Sequence, residues 1–366
     1  MTFGTKKVFN SSTSYYTSTV YLDSTHFVVA YTDYGNNEYG TAIVGTISGT
    51  TITYGTAKVF SFVSSRDFCI DRLSSTSFVI GYIDQASNIG KAVVGTISGT
   101  TITYGTAKVF NSTLSYLNSI SVLDSTHFVL TYSETYSTAI IGTISGTTIL
   151  FGTAKVLFNY SNSTYSKALD STHFVTIYKD GDNLDYGTSR LCTVSGTNIS
   201  VGAAKIFYSG DSSISNPPTK LSSTSFVVVY RDNDDEQHGK AIIGTVSGTT
   251  ITYGTTKEFC NAAIAYQEIT TLSSTSFVVI YRDGGNTYDG TAIIGTISGT
   301  SILFGTSSAF ETNNYSYATV SALDSTNFII NYSNGGNSGY GTGVVGKLST
   351  FPYMRINIGD TWKTLA

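Results

Sequence analysis

Apolar residues in this chain arrive in short bursts separated by small polar residues. In the first 60 residues these are Tyr15 to Leu22, His26 to Tyr31 (HFVVAY), Thr41 to Ile47 (TAIVGTI) and Thr50 to Phe60 (TTITYGTAKVF). Each is rich in Val, Ile, Thr, Tyr and Phe and bounded by Gly, Asn, Asp or Ser. No window carries the 3.6-residue period of an amphipathic helix, so the pattern predicts four β-strands, here A, B, C and D. Strands B and C are apolar on successive residues and predict a sheet covered on both faces. Strand D alternates Thr51 and Thr53 with Ile52 and Tyr54, and predicts a half-exposed outer strand.

The unit then returns. Leu, Asp or Ser, Ser, Thr, any residue and Phe recur with the Phe at 27, 78, 128, 174, 226, 277 and 328, so successive differences are 51, 50, 46, 52, 51 and 51. A constant period near fifty marks a repeat array. Between C and D, Ser-Gly recurs at Ser48-Gly49, Ser98-Gly99, Ser145-Gly146, Ser195-Gly196, Ser247-Gly248 and Ser298-Gly299. It supplies the positive φ of a two-residue hairpin. Asp-Ser-Thr or Ser-Ser-Thr between A and B is also turn chemistry. Lys7, Lys58, Lys108, Lys155, Lys205 and Lys257 sit near the end of D, where charge discourages edge pairing.

These features resemble a β-propeller, a ring of four-stranded antiparallel blades. The chain termini favour a closed ring over an open solenoid. A D-type segment stands alone at the start (Phe3-Gly4-Thr5), while the last repeat stops after Val345-Gly346-Lys347-Leu348 without one. The expected fold is therefore all-β: a seven-bladed β-propeller over residues 1–348, its last blade built of three C-terminal strands and one N-terminal strand, with a tail over residues 349–366. The resemblance carries no WD dipeptide, kelch glycine pair or Asp-box, and imports no family chemistry.

Composition narrows the function. Only 12% of residues are charged and the net charge is −4, which gives nucleic acid no electrostatic footing. Cys69, Cys192 and Cys260 fall in different repeats without metal or disulfide spacing, and Cys192 takes the place of a strand-C glycine. No apolar run is long enough to span a membrane, and no secretory leader precedes the first strand, so a virion or extracellular location reached by lysis is expected.

The A–B and C–D turns barely vary and share one face of the ring. The B–C and D–A connections vary in length and chemistry and share the other, the expected recognition face. There strand B ends in Asp33, Asp84, Glu134, Asp180, Asp232, Asp283 and Asn334, a crown readable as a cation or sugar-hydroxyl site or as turn caps. Candidate ligand residues on this face are Tyr34, Tyr136, Asp180, Asp182, Asp185, Tyr186, Arg231, Asp232, Asp234, Arg282, Asp283 and Tyr288. Asp180, Asp182 and Asp185 alternate as oxygen ligands of calcium do, though the EF-hand pattern is incomplete. His26, His127 and His173 share a repeat position that Ser or Asn fills elsewhere, and no nucleophile–base–orienter set emerges. The chain thus reads as a ring without catalysis.

The tail, FPYMRINIGDTWKTLA, holds the only Trp. Its Ile356-Asn357-Ile358-Gly359-Asp360-Thr361-Trp362-Lys363 stretch resembles short segments of bacteriophage tail and virion proteins, which implies partner docking through Met354, Ile356, Ile358 and Trp362. Two expectations follow: a virion component contacting other virion or host-surface proteins, or a lectin-like ring whose loop tyrosines stack on glycan. A polysaccharide hydrolase ranks third.

Overall fold

The structure, a computed structural model, describes residues 1–113, 116–159 and 164–348, and the backbone of Arg355–Ile358 and Thr361–Thr364. In the first blade, the second half of the strand Lys7–Tyr21 is A, His26–Asp33 is B and Tyr39–Ser48 is C. Each pairs antiparallel with the next, and C pairs outward with Thr51–Tyr54 and then with the start of Lys58–Ser74. The same A-B-C-D pairing recurs through the chain, giving seven blades among the described residues. No helix among them is long and apolar enough to cross a membrane.

Strand D differs from its expected form. In blade 1 it breaks after Tyr54, and its second half runs without a loop into strand A of blade 2. The break has a packing cause. A Cβ on Gly55 would lie 2.6 Å from Thr100 Cβ in the C–D turn of the following blade. Only glycine admits a neighbour's turn so closely. Gly4 stands in the same relation to Thr50, with a Cβ meeting its carbonyl oxygen at 2.4 Å, so the N-terminal segment abuts blade 1 as Gly105, Gly152 and Gly254 abut Thr147, Thr197 and Thr300 of the blades that follow them.

The seam closes as the sequence predicts. Thr2 pairs with Lys347 and Phe3 with Gly346, and Lys7–Tyr21 continues along the same strand from Gly343. Seven apolar clusters fill seven seams, including one of Phe9, Phe27, Ile43, Leu323, Ile329 and Val345 between the last blade and the first. Each fully buried Val, Ile or Phe there contributes about 1.5–3 kcal/mol of transfer free energy.

Within a blade, the repeated Phe lies over the strand-C glycine. A Cβ on Gly45 would sit 2.1 Å from Phe27 Cζ, and Gly95, Gly142, Gly244, Gly295 and Gly346 stand likewise against Phe78, Phe128, Phe226, Phe277 and Phe328. Blade 4 is the exception: Cys192, fully buried, pairs across to Val201 where the other blades pair Gly with Tyr or Phe.

The innermost strands have one edge without a ladder partner, and hydroxyls bridge it. Thr19 and Thr319 Oγ1 lie 2.8 Å apart, Tyr21 N donates to Ser321 Oγ at 3.0 Å, and Ser166 N donates to Ser119 Oγ at 2.8 Å, each across a seam. The Ser and Thr richness thus satisfies inner-edge backbone groups. In the tail, Arg355–Ile358 and Thr361–Thr364 form a hairpin with Asn357 opposite Trp362. Met354 lies outside the described residues.

Candidate functional site

The seven A strands enclose an axial channel. At the variable face it opens into a cavity of about 520 Å³ lined by Tyr16, Asp67, Tyr165, Tyr266, Glu268 and Tyr317, among others. Four tyrosines of the chain have left-handed backbones among the described residues: Tyr16 (φ 49°), Tyr266 (φ 53°), Tyr288 (φ 64°) and Tyr317 (φ 51°). Tyr16, Tyr266 and Tyr317 line this mouth, and Tyr288 stands beside it across Arg282 from Tyr266. A bulky residue in that region is strained, and such strain persists where the surroundings over-determine it. In blades 1, 6 and 7 the cause is a bulge at the start of strand A, where the register with strand B slips. The bulge turns the ring of the extra residue towards the axis.

The rings touch in series. Tyr34 meets Tyr15 edge-on at 5.9 Å, Tyr15 meets Tyr317 at 5.5 Å, and Tyr317 meets Tyr16 at 5.0 Å. Arginines join them: the Arg66 guanidinium lies 5.1 Å from the Tyr116 ring, and Arg282 lies 5.6 Å from Tyr266 and 5.2 Å from Tyr288. Arg66 also pairs with Asp67. Burial first, and then the Asp67 charge, push the Tyr16 phenol up.

Deeper in the channel stands Glu268. Burial pushes its carboxyl up to about 8, and only a backbone hydrogen bond from Ile269 pulls the other way. The Cys69 thiol and the Tyr165 phenol are pushed up by burial and then by the charges of Asp67 and Glu268, which places these four groups together. Asp67 is raised by burial against the pull of Arg66.

Of the residues singled out in the sequence, the structure brings Tyr34, Arg282 and Tyr288 to the mouth, with Asp283 beside them. The rest lie on blades 3 to 5. Tyr136 is exposed and Tyr186 half-buried. Asp232 is buried, accepts from Tyr208 Oη and caps its loop through Asp234 N at 3.1 Å. Asp234 accepts from Asp211 N at 2.9 Å, and Arg231 donates to Asn233 and Ser213. Elsewhere in the crown, Asp33 accepts from Gly35 N at 3.2 Å and Asp283 from Gly285 N at 3.0 Å, the geometry of turn caps.

In the loop where calcium was expected at Asp180, Asp182 and Asp185, Lys179 Nζ takes Asp185 at 3.2 Å and Asp211 at 2.8 Å, so Asp185 already has a cation beside it. Among the described residues the group close enough to share a metal is Asp235, His238 and Glu258. There Lys240 Nζ stands 2.6 Å from both carboxylates and already supplies the positive charge. The repeated histidines belong to the opposite face, where His26 Nδ1 lies 3.0 Å from Asp23. Burial opposes ionisation of Asp23, but bonds from Thr25 and His26 outweigh it and hold the carboxyl down to about 2.

The mouth tyrosines Tyr15, Tyr16, Tyr266 and Tyr317, and Glu268 within, are absent from the sequence-based set. Their signal was the divergence of strand A among repeats whose B and C strands hardly change, with Tyr16, Asp67, Tyr266 and Tyr317 at one repeat position.

No protein-family model and no curated protein matches the chain. Solved structures do. The chain is similar to a Hadza microbial sialidase (TM-score 0.50, 8% identity, 85% of this chain and 74% of that one) and to a leech intramolecular trans-sialidase complexed with 2,7-anhydro-Neu5Ac (TM-score 0.52, 9% identity, 91% and 67%). It is also similar to a chain from a structural study of two prolyl endopeptidases (TM-score 0.53, 8% identity, 89% of this chain), of which it spans 46%. These similarities carry the fold: this is a β-propeller of the kind those proteins contain. They also correct the expectation of a ring without catalysis, since this architecture carries enzymes. The missing catalytic set in the sequence is weak evidence, because a channel assembles its acids from strands some fifty residues apart or more, as it does Asp67 and Glu268. None of these three structures carries the name of a phage or virion protein.

Proposed function

We propose that the ring binds a glycan at the tyrosine-lined mouth of its channel. The observation that carries this reading is the gathering of Tyr16, Tyr266 and Tyr317, all on left-handed backbone, around one opening. A tyrosine face matches the C–H face of a pyranose, its hydroxyl bonds the sugar's edge, and its few rotatable bonds keep the ordering cost low. A glycan array followed by calorimetry on the best binder tests it. Tyr317→Ala is expected to weaken binding about tenfold, since a stacked aromatic is worth about 1–1.5 kcal/mol. Tyr136→Ala, on a loop remote from the mouth, is expected to leave it unchanged. Equal loss in both variants, or no binding to any glycan, overturns the reading.

Turnover of the bound glycan is the second reading, favoured by Glu268. A carboxyl kept neutral near pH 7 is the proton donor that glycosidic cleavage needs, and Asp67 lies in the same group. It requires release of reducing ends from the bound sugar and its loss in Glu268→Gln with binding intact.

A further inference from the structure

At the seam of blades 6 and 7 the mouth holds two hydrogen-bond donors with nothing to receive them. Arg282 stands near the end of strand B of blade 6, Ser276–Asp283. Its guanidinium is flanked by the rings of Tyr266 and Tyr288, yet its buried Nε has no acceptor. Among the described residues no carboxylate lies within ion-pair distance of it. Other arginines near this face are provided for: Arg66 by Asp67, Arg190 by Tyr178 and a carbonyl, Arg231 by Asn233 and Ser213. The adjacent Asp283 is engaged with Gly285 N and Cys260 Sγ. Tyr315, on strand A of blade 7, is 1% exposed, and its hydroxyl also has no partner. A Cβ on Gly290, which pairs with Arg282 across strands B and C, would lie 2.9 Å from Tyr315 Cε1, so the two side chains are neighbours.

A buried donor without an acceptor is costly, and a stacked guanidinium without a counter-charge more so. A water molecule would relieve the first cost and leave the second. We propose that Arg282, backed by the Tyr315 hydroxyl, is an oxyanion site, and that the glycan taken at the mouth carries a carboxylate or sulfate. This rests on the glycan reading and names its ligand class. The planar fork of arginine suits a two-oxygen anion, and stacking between two tyrosines fixes its plane before the ligand arrives. Non-specific attraction is not the source, because the chain's net charge is −4.

The test is calorimetry with matched pairs: oligogalacturonate against its methyl ester, and sulfated dextran oligosaccharide against plain dextran. The wild-type ring is expected to bind the charged member of at least one pair ten times more tightly or better. Preference within the first pair assigns a carboxylate, and within the second a sulfate. Arg282→Gln is expected to abolish the preference while retaining affinity for the neutral sugar, and Arg282→Lys to keep part of it. Tyr315→Phe is expected to reduce the preference several-fold while raising Tm, because it removes an unserved hydroxyl. A merely structural hydroxyl would show no change in preference. Equal binding within both pairs, or a preference that survives in Arg282→Gln, overturns the oxyanion site and leaves the glycan reading standing. Binding of no sugar, charged or neutral, overturns both.

Discussion

Lys6 Nζ donates to Glu311 Oε2 at 3.0 Å, joining the start of the chain to a residue 305 positions later. Glu311 belongs to the outer strand of blade 6 and its carboxylate is wholly enclosed. It also accepts from Tyr332 Oη at 2.9 Å and Asn334 Nδ2 at 3.0 Å, both on strand B of blade 7, and from Thr312 N and Asn313 N. One carboxylate therefore ties blade 6 to both chain ends of the composite blade.

Removing it is expected to weaken ring closure more than any surface ion pair would. Glu311→Ala leaves several enclosed donors without an acceptor and should cost about 2–4 kcal/mol in urea unfolding. Burial opposes ionisation of Glu311, but the bonds from Lys6, Tyr332 and Asn313 prevail and hold its carboxyl below the ordinary 4.5. The folded value lies below the unfolded one, so this stabilisation is complete above pH 4.5 and fades as pH falls through the folded value. Glu311→Gln should accordingly show a flatter acid limb than wild type. Identical acid limbs would show that the carboxylate is not what holds the seam.

Cys192 and Val201 form the one C–D pair in seven that departs from Gly with an aromatic. The larger strand-C residue and the smaller strand-D residue share a fixed volume under Phe174. Cys192→Gly alone is expected to cost about 1–2 kcal/mol through lost packing and backbone freedom. Val201→Tyr alone should cost about 1–3 kcal/mol by overpacking. Made together, they should cost at least about 1 kcal/mol less than the sum, since the pair recreates the arrangement of the other blades. Strict additivity across the four proteins would show that the two sites do not share a volume.

Most of the ring was legible because each of its constraints acts within one repeat. Phe27 over Gly45 and the Ser48-Gly49 turn are short-range needs, and they recur as spelling. Closure was legible because Phe3-Gly4-Thr5 is a D strand without a blade. The mouth was not, because it is made by residues that share no stretch of sequence: Tyr16 and Tyr317 meet only when the ring shuts. The weight placed on the B–C loops followed from their variability, yet Asp232 and Asp283 vary in their loops while serving the same capping bonds. Nor did the spacing of Asp180, Asp182 and Asp185 show that Lys179, with Asp211, joins Asp185 from neighbouring segments.

The left-handed backbone at Tyr16 yields a prediction about strain. Replacing it by glycine removes a half-buried ring, which by contacts alone should destabilise the protein. It also relieves a conformation that costs a non-glycine residue about 1–3 kcal/mol. The two effects oppose each other, so Tyr16→Gly is expected to unfold within about 1 kcal/mol of wild type while binding glycan at least tenfold more weakly. Tyr16→Ala, which loses the ring and keeps the strain, should be the less stable of the two. If the alanine variant is as stable as the glycine one, the backbone at this position is relaxed and the argument from strain fails.

Glu268 supplies the pH dependence. Its folded-state value of about 8 lies above the ordinary 4.5, so between those limits the folded ring holds a proton that the unfolded chain has released. Stability should therefore fall as pH rises from about 4.5, with the loss complete above about 8. Glu268→Gln cannot ionise and should escape it. The difference between the two proteins should be nil in acid and grow in the variant's favour to about 2–3 kcal/mol by pH 8, after allowing for water in the channel. Cys69 and Tyr165, the nearest other titrating groups, are pushed up by burial and stay neutral across the window. Asp67 is common to both proteins and drops out of the difference to first order. Urea unfolding at pH 4.5, 6, 7 and 8.5 reads the result directly. Parallel curves for wild type and Glu268→Gln would mean the carboxyl is already ionised in the channel, and would remove the proton donor on which the turnover reading depends.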